Sequence, residues 1–266
     1  MVETAAHLVD HVLPPLPVRQ WVLSVPKRLR PFLHHNPAIA GAVLRIFLRA
    51  IRTTLRHASP GAGPGAQIGA ISVLHRFGSS LNAHFHFHVC VIDGVFSEDP
   101  EGSVQFHEAT HLTASDWDEL QQTVRHRVLR YFHCHGLLER HVTDDMLNWQ
   151  ASGGFSIDAS VHIPARDRAG GLERLLRYCA RPPFALERLE ATGDGASGGE
   201  HIIYRLAHPA PGGTTALSLT PLEFLERLAL LIHPPRIHRH GSYLDLPTRP
   251  PPLSPARAVP SSSISR

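Results

Sequence analysis

Three histidines recur at every second position of the segment HFHFHVCVI, which begins at His84. Successive side chains of a β-strand point to opposite faces of the sheet. His84, His86 and His88 would therefore line one face, with Phe85 and Phe87 on the other. Neutral imidazole is a common ligand of divalent transition metals. The pattern predicts a metal site on this strand; the alternative is a row of partly exposed histidines on the solvent face of a sheet.

A fourth histidine, His75, lies near the end of the preceding predicted strand, residues 67–77. The short connection GSSLNA joins the two strands and favours an antiparallel hairpin. This pairing would bring His75 close to His86. A shift of one residue in register would turn His75 to the opposite face of the sheet. His75 and His84 are therefore competing candidates for the third ligand position.

A tyrosine among arginines forms a second candidate site, in the segment LERLLRYCAR at residues 172–181. On a helix, Tyr178 would share one face with Arg174, Arg177 and Arg181. Nearby positive charge favours the phenolate and activates the hydroxyl as a nucleophile, and guanidinium groups can hold phosphate oxygens. The alternative is an ordinary amphipathic helix whose tyrosine stacks on an arginine. The opposite face is apolar and is expected in the core: Leu172, Leu175, Leu176 and Cys179.

Hydrophobic periodicity and turn residues predict a mixture of helices and strands. Helices are expected at 2–12, 38–58, 113–136, 143–149, 170–180 and 220–233. Strands are expected at 19–25, 67–77, 84–96 (with a turn at Asp93 and Gly94), 153–165, 201–206 and 214–219. This order, with at least one hairpin, favours an α+β fold with a largely antiparallel sheet.

The composition limits the class of protein. The net charge of +3 on 266 residues is too small to argue for nucleic acid by itself. No apolar run approaches the ~20 residues of a membrane span, and the start lacks the layout of a signal peptide, so we expect a cytoplasmic protein. Three scattered cysteines predict neither a disulfide framework nor a zinc ribbon. Lys27, Arg28 and Arg30 form a basic cluster after the first predicted strand.

Together, the histidine strand and the tyrosine helix indicate phosphodiester chemistry. A divalent ion on the strand would polarise the scissile phosphate. The oxygen of Tyr178 would attack phosphorus and leave a covalent phosphotyrosine.

Four longer segments carry a resemblance to a known protein family: PVRQWVLSVPKRLR, HRFGSSLNAHFHFHVCVIDGVF, RYCARPPFALERL and PGGTTALSLTPLEFLERLALLIHPPRIHRH. In these segments the chain resembles the HUH-type transposases of rolling-circle insertion sequences, the insertion-sequence ninety-one group. The resemblance runs from about Val12 to His240. It implies that His86 and His88 bind Mg²⁺ or Mn²⁺ and that Tyr178 is the catalytic tyrosine. Family members often carry Gln where His75 stands, so a ligand role for His75 rests on the strand pairing alone.

The resemblance implies an enzyme that nicks one DNA strand, keeps its 5′ end on the tyrosine and releases a 3′-OH. The fold would be the HUH palm, an antiparallel sheet flanked by helices, in a catalytic domain at 19–240. Residues 1–18 would be a linker or helix remnant, and 241–266 a disordered Pro/Ser-rich tail. The DNA partner would be single-stranded or hairpin transposon ends. We assign DNA binding to the basic side chains Lys27, Arg28, Arg174, Arg177 and Arg181.

The sequence also departs from the family pattern. It starts after the cysteine-rich zinc-binding module with which family members usually begin, and the match stops after His240, so we expect a chain truncated at both ends. Arg174 stands where some members have a second tyrosine, which predicts either the single-tyrosine subgroup or the loss of one step of the reaction. The alternatives are an inactive remnant that still binds DNA, a rolling-circle replication initiator or relaxase-like nickase, and a zinc-binding structural protein.

Overall fold

The computed structural model describes residues 2–78, 80–110, 112–182, 184–192, 200–210, 212–231 and 240–244. The helices are α1 (Val2–His7), α2 (Arg30–His35), α3 (Pro37–Ala58), α4 (Ala114–Cys134), α5 (Arg140–Asn148), α6 (Glu173–Ala180) and α7 (Pro221–Leu231). The strands are β1 (Val18–Ser24), β2 (Gly69–Phe77), β3 (Ala83–Ile92), β4 (Gly94–Glu98), β5 (Val104–Glu108), β6 (Ser156–Asp158), β7 (His162–Ile163), β8 (Leu189–Thr192), β9 (His201–Arg205), β10 (Ala216–Leu219) and β11 (His240–Leu244). Short π-helical turns, Leu8–Val12 and Arg168–Leu172, follow α1 and precede α6. Within these residues, no helix has both the length and the apolar character that crossing a membrane requires.

A central antiparallel sheet runs in the order β11-β2-β3-β1-β6, and β7 also pairs with β1. Each pairing in this sheet is antiparallel, including the hairpin of β2 and β3. Two smaller antiparallel sheets contain β4 with β5, and β10, β9 and β8. The predicted α+β fold with a central antiparallel sheet is therefore confirmed.

The two faces of β3 meet different layers, because side chains alternate along a strand. Phe87 points to the face covered by α3 and α4, where it is buried in the same cluster as Trp21 of β1. The opposite face carries His86 and His88 and then Cys90, which is buried with apolar residues of α1 and α6. The histidines therefore lie on the face that α6 covers.

Both long helices begin at capped positions. At α3, the side chain of Asn36 accepts hydrogen bonds from the backbone N–H groups of Ala38 and Ile39. At α4, Thr113 and Asp116 form a reciprocal capping box, in agreement with the helix start expected at TASD. These caps satisfy donors that the first turn of a helix leaves unpaired. Each helix then packs its apolar side into the core on the Phe87 face of the central sheet.

The N-terminal segment packs against α6. Ala5, Val9 and Leu13 are buried in one apolar cluster with residues of that helix. Arg168, in the turn before α6, donates hydrogen bonds to the carbonyl oxygens of Val9 and Leu13. Residues assigned from the sequence to a linker or helix remnant thus contribute to the core beneath α6.

The segment 153–165, predicted as one strand, is interrupted twice. Gly153 and Gly154 adopt left-handed backbone conformations, with φ of 58° and 77°, and the strand begins only at Ser156. The Asp158 carboxylate then accepts a hydrogen bond from the backbone N–H of Ser160, a local turn that ends β6. The prediction of a continuous strand was wrong because alternation does not reveal turns stabilised by backbone geometry.

The strands β5, β8 and β11 lie outside the predicted strands. β5 pairs with β4, and β8 pairs with β9. β11 pairs with β2, so residues 241–244, which were assigned from the sequence to the tail, belong to the central sheet. The rest of the predicted tail, 245–266, lies outside the described residues. Such short strands are set by their partners more than by their own sequence pattern.

Candidate metal and tyrosine site

Three histidines from two adjacent strands come together on the face beneath α6. His75 of β2 is the direct cross-strand partner of His86 in β3, as expected from the hairpin. One ring nitrogen from each of His75, His86 and His88 lies within 4.8 Å of the others. The ring centroids of His75 and His88 are 4.4 Å apart. His84 contacts His86 but is not part of this three-membered group.

Backbone carbonyls determine which nitrogen of two of these rings carries hydrogen. Nε2 of His75 lies 2.6 Å from the carbonyl oxygen of Cys179, and Nδ1 of His86 lies 3.0 Å from that of His84. A carbonyl oxygen only accepts, so both of these nitrogens must donate. The lone pairs therefore lie on Nδ1 of His75 and Nε2 of His86, the nitrogens that would serve as metal ligands.

The carbonyl that orients His75 belongs to α6. Cys179 is the second-to-last residue of that helix, and the last carbonyls of a helix have no partner within it. One of these unused acceptors is thus occupied by a histidine of the sheet. The bond ties the end of α6, directly after Tyr178, to the histidine cluster.

His88 is held by Gln20, a residue that the sequence analysis did not select. The amide nitrogen of Gln20 lies 2.8 Å from Nδ1 of His88 and 3.3 Å from Sγ of Cys179, and both side chains in the first contact are buried. A glutamine amide can donate from its NH₂ group or, turned end for end, accept at its oxygen. In the second arrangement Nδ1 of His88 carries hydrogen and Nε2 keeps its lone pair.

Nε2 of His88 is buried and makes no hydrogen bond to any described residue. Buried polar atoms usually have a partner, so such an atom within a cluster of imidazoles fits the position of a metal ligand. The signal for Gln20 in the sequence was a polar side chain between Val18 and Val22, on one face of β1. Only the pairing of β1 with β3 shows what that amide meets.

Burial keeps His86 and His88 uncharged at neutral pH. It lowers the pKa of His86 from 6.5 to about 4, and the neighbouring His75, His84 and Arg181 lower it further by smaller amounts. The same causes, burial first, lower the pKa of His88 to about 2. Burial and the nearby Arg30 also lower the pKa of His84. The rings of His86 and His88 are therefore neutral near pH 7, which is the form that binds a metal.

Tyr178 stands at the edge of the cluster. Its ring is 44% exposed, and its centroid lies 5.7 Å from that of His88, in an edge-to-face arrangement. The guanidinium carbon of Arg181 lies 4.4 Å from the centre of the tyrosine ring. A partly exposed phenol thus adjoins both the imidazoles and a fixed positive charge.

The rest of α6 explains this position. The buried side of the helix is the predicted one, formed by Leu172, Leu175, Leu176 and Cys179. In the turn that precedes α6, the carboxylate of Asp167 accepts a hydrogen bond from the backbone N–H of Gly171. A Cβ at Gly171 would lie only 2.4 Å from that carboxylate, so a larger residue here would displace the capping side chain.

The other basic residues predicted to bind DNA are exposed but differ in their surroundings. Arg177 forms an ion pair with Glu173, and Arg174 donates to the carbonyl oxygen of Gly170, so both are held by the helix region itself. Lys27 and Arg28 lie in the turn after β1. That end of β1 pairs with the His86 end of β3, so they lie at the same end of the sheet as His86.

Comparison with known protein families identifies one that matches this chain. A family model described as "Putative transposase" matches residues 69–244, which include the three histidines and Tyr178 but not Gln20. No curated protein and no solved structure matches the chain. The match covers well over half of the 266 residues. On this evidence, the chain belongs to this transposase family.

Proposed function

We propose that this transposase nicks a single DNA strand and holds its 5′ end on Tyr178, in the manner of HUH-type enzymes. The observation that carries the proposal is the contact of an exposed tyrosine ring with His88 of the three-histidine cluster. Nucleophile and metal ligands must lie together for a phosphodiester to reach both. The transposase family supports DNA as the substrate.

The reaction is a transesterification at phosphorus. The oxygen of Tyr178 forms a bond to phosphorus as the bond to the 3′ oxygen breaks. The tyrosine loses its proton to solvent, and the departing 3′ oxygen takes one up to become a 3′-OH. A divalent ion, when bound, would polarise the phosphate and stabilise its added negative charge. Arg181, stacked on the tyrosine ring, is placed to contact the same phosphate.

The donor set bears on the choice of ion. His75, His86 and His88 offer three imidazole nitrogens, whereas Mg²⁺ prefers oxygen ligands. We therefore favour Mn²⁺ over Mg²⁺ as the ion that binds here. The same nitrogens also suit Zn²⁺.

The DNA would approach at the end of the sheet where β1 gives way to Lys27 and Arg28. Single-stranded or hairpin transposon ends fit a chemistry in which one strand is cut. Arg174 and Arg177 would add contacts only if the DNA displaces their present partners, Gly170 and Glu173.

The test is cleavage of a single-stranded oligonucleotide in the presence of Mn²⁺. A 3′-end label remains with the fragment that stays on the protein, so an adduct appears as a labelled band at protein mass. Tyr178→Phe should give no adduct, whereas Tyr131→Phe, on α4, should react like wild type. Adduct formation by Tyr178→Phe would refute the assigned nucleophile. DNA binding without any adduct in wild type would support the inactive remnant instead.

A further inference from the structure

A basic cleft lies between α4 and α5. It measures about 520 Å³, and its lining includes His126, Arg127, Arg130 and His133 from α4 and Arg140 and Asp144 from α5. α4 packs on the Phe87 face of the central sheet, whereas the histidine cluster lies on the other face. The cleft is therefore separate from the proposed cleavage site.

The positive charge of the cleft is largely uncompensated. Arg127 and Arg130 are exposed and make no ion pair or hydrogen bond with any residue that the structure describes. Arg140 pairs with the carboxylate of Asp144 at 3.7 Å, and both side chains of this pair are more than half exposed. The net charge of the whole chain is only +3, so three arginines around one acid form a local concentration.

Helix dipoles account for part of this pattern but not for all of it. Basic residues near the C-terminal end of α4 are favoured by the negative end of its dipole. Arg140 is the first residue of α5, where a positive side chain is disfavoured. The N-cap residue of α5 is Glu139, but its carboxylate makes no capping hydrogen bond and lies against His141, so the first N–H groups of the helix still add to the positive potential.

We propose that this cleft binds the sugar–phosphate backbone of DNA, without sequence preference, at a second contact site away from Tyr178. Guanidinium groups hold phosphate oxygens in paired hydrogen bonds, and such contacts position DNA without reading its sequence. Arg127 and Arg130 lie three residues apart on one side of α4, so both face the cleft. The bound segment would be DNA that flanks the strand at the tyrosine.

The test compares DNA affinity at several salt concentrations, in a Tyr178→Phe background that cannot form an adduct. Arg127→Gln/Arg130→Gln should lower affinity for a labelled duplex with a single-stranded extension by roughly tenfold at moderate salt. It should also reduce the slope of log affinity against log salt by about two, close to one for each lost phosphate contact. The matched control is Arg45→Gln/Arg49→Gln, which removes two exposed arginines from α3.

A second variant should change DNA affinity in the opposite direction. Asp144→Asn removes the negative charge of the cleft and should strengthen DNA binding, which damage to the fold would not do. An unchanged salt slope in Arg127→Gln/Arg130→Gln, or an equal change in the α3 control, would overturn the proposal. The readout is binding, so it decides this question even if wild type fails to cleave DNA.

Discussion

Gln20 provides the sharpest test of how the histidine cluster is organised. Its amide lies 2.8 Å from Nδ1 of His88, and both groups are buried. Replacing Gln20 with Leu removes the only described hydrogen-bond partner of that ring. His88 would then be free to choose either tautomer and to rotate, so its Nε2 would no longer be held toward the other two rings.

The expected loss can be estimated from this single contact. Removing an outer partner of a metal-binding histidine typically lowers metal affinity by about 10- to 100-fold. That range corresponds to roughly 1.4–2.7 kcal/mol of binding free energy. Leaving Nδ1 of His88 unpaired costs about 1–3 kcal/mol of stability, partly offset by the apolar side chain of Leu. We therefore expect a folded Gln20→Leu protein with weakened metal binding.

Calorimetric titration with Mn²⁺ measures the effect directly. Gln20→Glu is the matched control, because a carboxylate still accepts a hydrogen bond from Nδ1 of His88, and it should stay within a few-fold of wild type. An unchanged Mn²⁺ affinity in Gln20→Leu would refute the orienting role of the amide. Absence of Mn²⁺ binding in wild type would instead refute the metal site itself.

Further predictions concern the ion, the fold and pH. Mn²⁺ should support cleavage at a lower concentration than Mg²⁺. Equal activity in the two metals would argue against a site made of imidazoles. His86→Ala should abolish cleavage with either ion. Chelation should leave the circular dichroism spectrum unchanged, whereas a zinc-dependent structural protein would unfold. Gly153→Ala should lower the free energy of unfolding by about 1–3 kcal/mol more than Gly136→Ala, as measured by denaturant titration. Both glycines have positive φ, but only a Cβ at Gly153 meets another group, the Arg125 guanidinium at 2.6 Å. In metal-free protein, stability should fall as pH drops from 6.5 toward 4, because the unfolded chain binds protons that folded His86 and His88 do not. The slope should approach about 1.4 kcal/mol per pH unit for each histidine, and His86→Gln should reduce it.

Local sequence periodicity was enough to predict which side chains share a face of β3 and of α6. The alternation in β3 placed His86 and His88 together opposite Phe87, because a strand turns successive side chains to opposite faces. The apolar positions of α6 likewise predicted that Tyr178 would be exposed while Cys179 would be buried. These results depend on the geometry of a single element, which neighbouring residues largely determine.

Contacts between distant segments could not be predicted in the same way. The choice of His75 over His84 depends on strand register, which the hydrophobic pattern of one strand does not specify. Gln20 acquires its importance only because β1 pairs with β3.

The sequence by itself determined which side chains share a face within β3 and within α6. The tertiary structure decided that these two faces meet, through the bond from His75 to the Cys179 carbonyl and the contact between His88 and Tyr178. The physical reason is that backbone geometry acts over a few residues, whereas packing of α6 onto the sheet joins residues far apart in the chain.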